Sequence, residues 1–350
     1  MIINKDGTVR GNIEQETVCF DDVLLKPRYS DIKSRSEVDI GNDLGGQHYY
    51  LPIISSPMDT VTEENMCIAM ASRGGLGVIH RYNTIDDQQR MIESLYNQIS
   101  NVAVAIGVSD DFKDRARACV ASGASTLCID VAHGHHALVE EAIKTLKDRY
   151  GDNIHVMAGN VATLEAFNDL SDWGADSIRV GVGGGSICST RIQTGHGVPT
   201  LQSVLDCSKT DRNALLIADG GFKTSGDVVK ALAAGADFVM LGSMLAATDE
   251  SPGETFISAD GKRYKVYRGM ASKEAQMEWR GKTASLEGVS TTVPYKGSVE
   301  LVLAELEQGI RSGFSYTGAR TLSELQSKAQ FIKQSSAGQV ESSTHILRRK

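Results

Sequence analysis

One cysteine in this chain is set among glycine, serine and threonine rather than among apolar residues. Positions 181–191 read Gly-Val-Gly-Gly-Gly-Ser-Ile-Cys-Ser-Thr-Arg, directly after an apolar stretch that reads as a strand. Glycines let the backbone come close to a ligand and present N–H and C=O groups to it. A thiol in such a loop, Cys188, is placed to act as a nucleophile. The other five cysteines, Cys19, Cys67, Cys119, Cys128 and Cys207, have apolar neighbours and read as small buried hydrophobes.

The residues that could join Cys188 stand at the ends of other short apolar runs. They are Ser56-Pro-Met-Asp59, His80-Arg81, Asp130-Val-Ala-His-Gly134, Asn160, Asp219-Gly-Gly221 and Gly242-Ser243. The runs lie at 51–55, 75–80, 102–108, 126–132, 155–161, 177–183, 214–221 and 238–243, each the length of a buried parallel strand. Helical patterns fall between most of them, at 62–73, 84–99, 111–122, 135–150, 163–173 and 224–234. Thr62, Thr84, Asp110 and Thr163 are expected N-caps, and Gly123, Gly174 and Gly235 expected C-terminal glycines. Eight such β/α units predict a TIM barrel. A doubly wound sheet would show Gly-x-Gly-x-x-Gly after its first strand, where this chain reads Ser55-Ser-Pro-Met58. In a barrel the carboxyl ends of all strands converge on one face, so these residues share one site. The small loops at 220–221 and 242–243 follow strands seven and eight, a recurrent barrel position for a phosphate. A phosphorylated substrate is expected.

The chain has 350 residues and a formal net charge of −8, which argues against a general nucleic-acid binder. No apolar run approaches the ~18 residues that cross a membrane, and the opening Met-Ile-Ile-Asn-Lys-Asp lacks the apolar core of a signal peptide. Six scattered cysteines with no Cys-x-x-Cys pair favour reduced thiols and a cytoplasmic location. His80, His133, His135 and His136 lie on two strand ends without helical spacing, which favours polar or surface roles over a metal cluster. No linker marks a second domain, so residues 1–350 read as one catalytic domain. The stretch 248–297 separates the last strand from an amphipathic helix at 298–312. It is expected to hold a hairpin, 255–257 with 264–267 around Asp260-Gly261, and then a mobile polar lid at 271–292 within a flap at about 270–297. The tail at 335–350 is polar and alone would be disordered.

Seven segments, in order, carry a resemblance. They are Phe20-Asp-Asp-Val-Leu-Leu-Lys-Pro27, Ser56-Pro-Met-Asp-Thr-Val61, Ala158-Gly-Asn-Val161, Gly183-Gly-Gly-Ser-Ile-Cys-Ser-Thr-Arg191, Ala218-Asp-Gly-Gly221, Val239-Met-Leu-Gly-Ser243 and Tyr267-Arg-Gly-Met270. Together they resemble the IMP dehydrogenase / GMP reductase family over nearly the whole chain. The resemblance implies a TIM barrel, a purine nucleoside monophosphate at the strand ends, and attack of Cys188 on C2 of the purine. It implies that Asp219 holds the ribose hydroxyls, and that Ser186, Gly220, Gly221, Gly242, Ser243 and Tyr267 cradle the 5′-phosphate. Met58, Gly269, Met270 and Glu287 would surround the base. Thr190 would assist proton transfer, paired with Glu287 in a reductase. Asp130, Asn160, Arg179, Gly181 and Gly183 would lie near the nicotinamide half of a dinucleotide. Arg81 reads either as the partner of an NADPH 2′-phosphate or as a solvated strand-end cation. The carbonyls of Gly183, Gly185 and Cys188 match the family's monovalent-cation site, for an ion such as K+. Glu341-Ser342 resembles the tail that completes this site from a neighbouring subunit, in a homotetramer or octamer. The loop departs from the family at Gly184, where Pro, Ser or Cys is commoner, and at Ser189, where Thr or Ile is commoner.

Two reactions share the Cys188 adduct in that family. The dehydrogenase oxidises IMP to XMP with NAD, and the reductase converts GMP to IMP and ammonia with NADPH. Dehydrogenases usually insert a pair of cystathionine-β-synthase-type modules after the second strand, where this chain runs directly on through 84–101. They also carry a longer flap with an Arg-Tyr pair that activates water. Between Met270 and Glu287 this chain has one arginine, Arg280, preceded by Trp279, and no Arg-Tyr. Hydrolysis of the adduct would then lack a base, whose help is typically worth about 10²–10⁴-fold. The expected reaction is GMP reduction, with a module-less IMP dehydrogenase as the alternative. Ile79-His-Arg81, Asp249-Glu-Ser-Pro-Gly253 and Glu341-Ser342 look more like bacterial dehydrogenases. A nucleotide sensor without turnover and a flavin-dependent barrel are the readings from other classes.

Overall fold

The computed structural model describes residues 16–109, 111–284, 286–342 and 344. Eight short strands form its frame: Ile53–Ser55, Leu76–Ile79, Ala103–Ile106, Thr126–Asp130, His155–Val161, Ser177–Val180, Leu215–Asp219 and Phe238–Leu241. They pair in parallel in chain order, and the eighth closes on the first with Val239 opposite Ile53 and Leu241 opposite Ser55. This is the TIM barrel that the repeating pattern predicts; a doubly wound sheet would have two open edges.

Side chains alternate across the barrel wall, as strand geometry requires. Ile54, Val78, Ala105, Cys128, Met157, Ile217 and Met240 fill the interior. Ile53, Ile79, Val104, Ile129, Ile178 and Val239 point outward under the helices. A hairpin, Asn42–Leu44 with Gln47–Tyr49, plugs the amino-terminal end; Leu44 and Tyr49 join the interior cluster, with Tyr49 edge-on to Phe238 at 6.0 Å. The other end is left to the loops.

The predicted helices are found at Glu64–Ser72, Ile85–Leu95, Phe112–Ala121, Ala137–Tyr150, Leu164–Asp172, Ser225–Ala233 and Val299–Thr317. Thr84 and Thr163 cap theirs by accepting the amides of Asp87 and Ala166. Thr62 does not cap: it is buried, and its hydroxyl donates to the Ser56 carbonyl at 2.7 Å and lies 2.8 Å from the Ser55 hydroxyl. Glu63 takes the cap position without a side-chain bond. Asp110 lies outside the described residues. A further helix, Thr200–Cys207, lies between strands six and seven, where no helical pattern stood out.

After the eighth strand, Thr255–Ile257 and Arg263–Arg268 form the expected hairpin, turning at Gly261. The expected lid is more structured than a polar segment suggests. It begins as a helix, Lys273–Arg280, capped by Ser272, and ends in Ser290–Pro294, a third strand paired with Arg263–Arg268. Just before the tail, Phe331–Lys333 pairs antiparallel with Val23–Leu25 and leads into the helix Ser336–Glu341 at the tail's start; residues 343 and 345–350 lie outside the described residues. Among the described residues, no helix is long and apolar enough to cross a membrane.

Candidate active site

The carboxyl ends of the strands and the flap enclose a cavity of about 420 Å³. The expected substrate, cofactor and catalytic residues from Met58 to Glu287 line it, including both glycine loops, Tyr267, Gly269 and Met270. Asp59, His80, His133 and Gly134, at the same strand ends, do not line it; Asp59 and His80 face a separate cleft. Glu341 and Ser342 do not line it either; they end the helix Ser336–Glu341, which packs near the turn at Phe20–Asp22.

Cys188 is half-buried at the cavity wall. Its thiol donates to Thr190 Oγ1 at 3.2 Å, and that hydroxyl donates to Glu287 Oε2 at 2.8 Å. A thiol, a hydroxyl and a carboxylate thus form a proton path across the cavity wall. Backbone pairing brings Glu287 there: the Ser189 amide donates to the Glu287 carbonyl at 2.9 Å, and the Val289 amide to the Ile187 carbonyl at 3.0 Å. The end of the flap is therefore zipped to the thiol loop. The other cysteines differ as expected, with burial pushing the thiols of Cys119, Cys128 and Cys207 up to about 12. Cys19 is the correction, being only half-buried.

Beneath the cavity lies a charged floor. Arg179, whose side chain is 7% exposed, bonds Asp130 at 2.6 Å from one side and Asp219 at 2.8 Å from the other. Burial alone would lower its pKa, but the two carboxylates outweigh burial and hold the guanidinium well above its ordinary value. Asn160 adds an amide bond of 2.8 Å to Asp219 Oδ2, which also accepts from Arg179. Arg179 therefore shapes the floor and is not free for a ligand. Arg81 is not simply solvated either; its Nε donates to the Asp130 carbonyl at 3.2 Å.

The two glycine loops pack directly on their neighbours. Gly220 and Gly221 both have φ of 87°, a conformation that side chains oppose. A Cβ on Gly220 would stand 3.2 Å from the Gly185 amide nitrogen, so the loop after strand seven lies backbone-to-backbone on the thiol loop. A Cβ on Gly181 would stand 2.0 Å from the Asp219 carbonyl oxygen. One on Gly184 would stand 2.2 Å from Thr200 Oγ1, a buried hydroxyl with no hydrogen-bond partner among the described residues. Tyr267 is buried and shares hydrogen bonds with Ser186 and Ser243. Burial pushes its pKa up to about 12, which keeps the hydroxyl a neutral donor.

Trp279 packs against Tyr82 with ring centroids 6.1 Å apart and planes 18° apart, and Arg280 lies 5.7 Å over the same ring. Tyr82 was not singled out by sequence; its signal is an aromatic ring directly after Arg81 at a strand end. At the flap's root Arg268 bonds Asp59 and Glu278, each at 2.6 Å. Three of the four histidines have polar partners: His80 meets Glu63 at 3.0 Å, His135 meets Asp169 at 2.8 Å, and His136 accepts the Leu138 amide; His133 is exposed.

A closed parallel barrel with a cysteine loop, paired glycine loops and acid-lined strand ends on one face is an enzyme architecture of the TIM-barrel class. Within that class, the chain belongs to the IMP dehydrogenase / GMP reductase family, whose domain model matches residues 17–345. The inosine-5′-monophosphate dehydrogenase of Nitrosopumilus maritimus is 35% identical, covering 95% of this chain and 98% of that protein. The GMP reductase of Leishmania major is 31% identical, covering 95% and 97%. A crystal structure of a cysteine-to-alanine variant of Trypanosoma brucei GMP reductase, in complex with guanosine 5′-monophosphate, superposes with a TM-score of 0.91 at 29% identity, covering 95% of this chain and 98% of that one. The family comprises purine nucleotide oxidoreductases that use nicotinamide dinucleotides.

Proposed function

We propose that this protein is a GMP reductase that converts GMP to IMP and ammonia with NADPH. The observation that carries the reading is the Cys188–Thr190–Glu287 hydrogen-bonded path, together with a flap that holds no Arg-Tyr pair. The Cys188 proton passes through Thr190 to Glu287, and the thiolate attacks C2 of GMP. Glu287 returns that proton to the 2-amino group, which leaves as ammonia, and a C2–S bond replaces the C2–N bond. NADPH, when bound on the Asp130–Asn160 side of the cavity, would supply a hydride to C2. The C2–S bond then breaks to give IMP, and the thiolate regains a proton along the same path. Asp219, fixed by Arg179 and Asn160 through Oδ2, offers Oδ1 to the ribose hydroxyls. Ser186, Ser243, Tyr267 and the amides of the glycine loops take the 5′-phosphate.

The Gly183, Gly185 and Cys188 carbonyls would hold a monovalent cation. The Gly185 oxygen already accepts the Cys188 amide at 3.1 Å and keeps a second lone pair for an ion. Glu341 and Ser342 would reach that site from a neighbouring copy in a tetramer or octamer of a cytoplasmic enzyme, since in their own subunit they lie off the cavity.

The alternative is IMP dehydrogenase, favoured by the Nitrosopumilus relative. Length does not separate the two. The alignments to the Nitrosopumilus dehydrogenase and the Leishmania reductase run over 470 and 479 positions, against 350 residues here, so extra chain occurs under both names. The test follows absorbance at 340 nm in two cuvettes. Loss of absorbance with GMP and NADPH, with IMP and ammonia formed, is the expected result. A rise with IMP and NAD, with XMP formed, overturns it and makes Arg280 the next residue to vary.

A further inference from the structure

Lys296 closes the flap sheet and is used by none of the steps above. Its Nζ donates to the carbonyls of Ser243 at 2.5 Å and Met244 at 3.0 Å. Those are consecutive residues of the loop after strand eight, and both line the cavity. Lys296 does not line it; it lies on the loop's other side, in a cleft shared with Lys223 and Glu305. Part of the side chain is open to solvent, while the amine is tucked between the two carbonyls. Among the described residues, no ion pair joins it to a carboxylate, so its charge is directed onto the loop. In a trans peptide the C=O and the following N–H point in opposite directions. A Ser243 carbonyl drawn back to Lys296 turns the Met244 N–H forward, toward the cavity.

We infer that Lys296 is a positioning residue for anion recognition. It orients the Ser243–Met244 peptide so that its N–H faces a phosphate, and it places a positive charge behind that cradle. This rests on the reading that the loop takes a nucleotide 5′-phosphate. Lys265 supplies an internal control. Its buried amine likewise bonds two carbonyls, those of Thr248 and Ser251, but both belong to a part of the segment that does not line the cavity.

The experiment compares GMP with guanosine by calorimetric titration, using the full chain. Lys296→Met should weaken GMP binding about three- to tenfold and leave guanosine unchanged. It should raise KM for GMP with little change in kcat, and Lys296→Arg should restore most of the loss. Lys265→Met should leave the GMP-to-guanosine ratio as in the parent. Lys296→Gln serves where the methionine variant fails to fold. An unchanged ratio in the Lys296 variants, or equal losses for both ligands, overturns the inference. If the parent itself does not prefer GMP to guanosine, this inference and the phosphate assignment fall together. If the preference and its Lys296 dependence hold while GMP is not reduced, only the reductase reading falls.

Discussion

The floor of the cavity is held by an ion-pair network withdrawn from water, whereas its cover rests on stacked rings at the rim and on one ion pair, Arg268 with Asp59, at its root. Arg179 and its two acids rise from strands four, six and seven, and their positions follow from the barrel itself. The flap sits on the second loop through Trp279, Arg280 and Tyr82, and on the first through Arg268 and Asp59. A buried ion-pair network is costly to break, because removing one member leaves an uncompensated charge. The ring contacts of Trp279 and Arg280 with Tyr82 cost less to lose. The contrast teaches that the barrel itself fixes the acids of the floor, whereas Glu287 is brought to the thiol loop by the flap, a separate element laid over the barrel.

The sharpest test separates chemistry from binding. Cys188→Ala should reduce turnover by at least about 10³-fold while nucleotide binding persists, measured by steady-state rates and titration. Retained turnover would remove the nucleophile assignment. Arg179→Met strikes the floor instead. Stranding Asp130 and Asp219 should cost about 3–5 kcal/mol in denaturant unfolding and weaken the nucleotide as well. A stability like the parent's would mean that the floor is not held by this network. Glu287→Gln reaches the cover, and turnover should fall about 10²-fold with little change in melting temperature or GMP affinity. An equal loss of stability would erase the distinction between the two regions. Trp279→Ala is the mildest: about 1 kcal/mol or less of ring packing is lost, so any change should show in KM before it shows in unfolding.

The floor and the cover also differ in how far the sequence foretold them. Strands buried on both faces read as short apolar runs, so the eight strand ends and the residues on them were legible. The link between Thr190 and Glu287 spans 97 positions and was available only through family resemblance. It depends on the strand Ser290–Pro294, whose residues are mostly exposed and carry no apolar signal. Thr62 misled for a definite reason. A threonine before a helix is a good cap, but here the Ser56 carbonyl offered its hydroxyl a buried partner. Arg179 showed its charge but not its burial, because the two acids that neutralise it come from strands 49 and 40 residues away in sequence.

The meeting of Gly184 with Thr200 bears on how far this loop can be rebuilt. Thr200 Oγ1 occupies the space that any side chain at 184 would need. A Pro, Ser or Cys at 184 therefore fits only after position 200 has shrunk or turned away. A chimera that enlarges position 184 and keeps the helix Thr200–Cys207 sets the new side chain against Thr200, and the hydroxyl must rotate or position 200 must shrink to admit it.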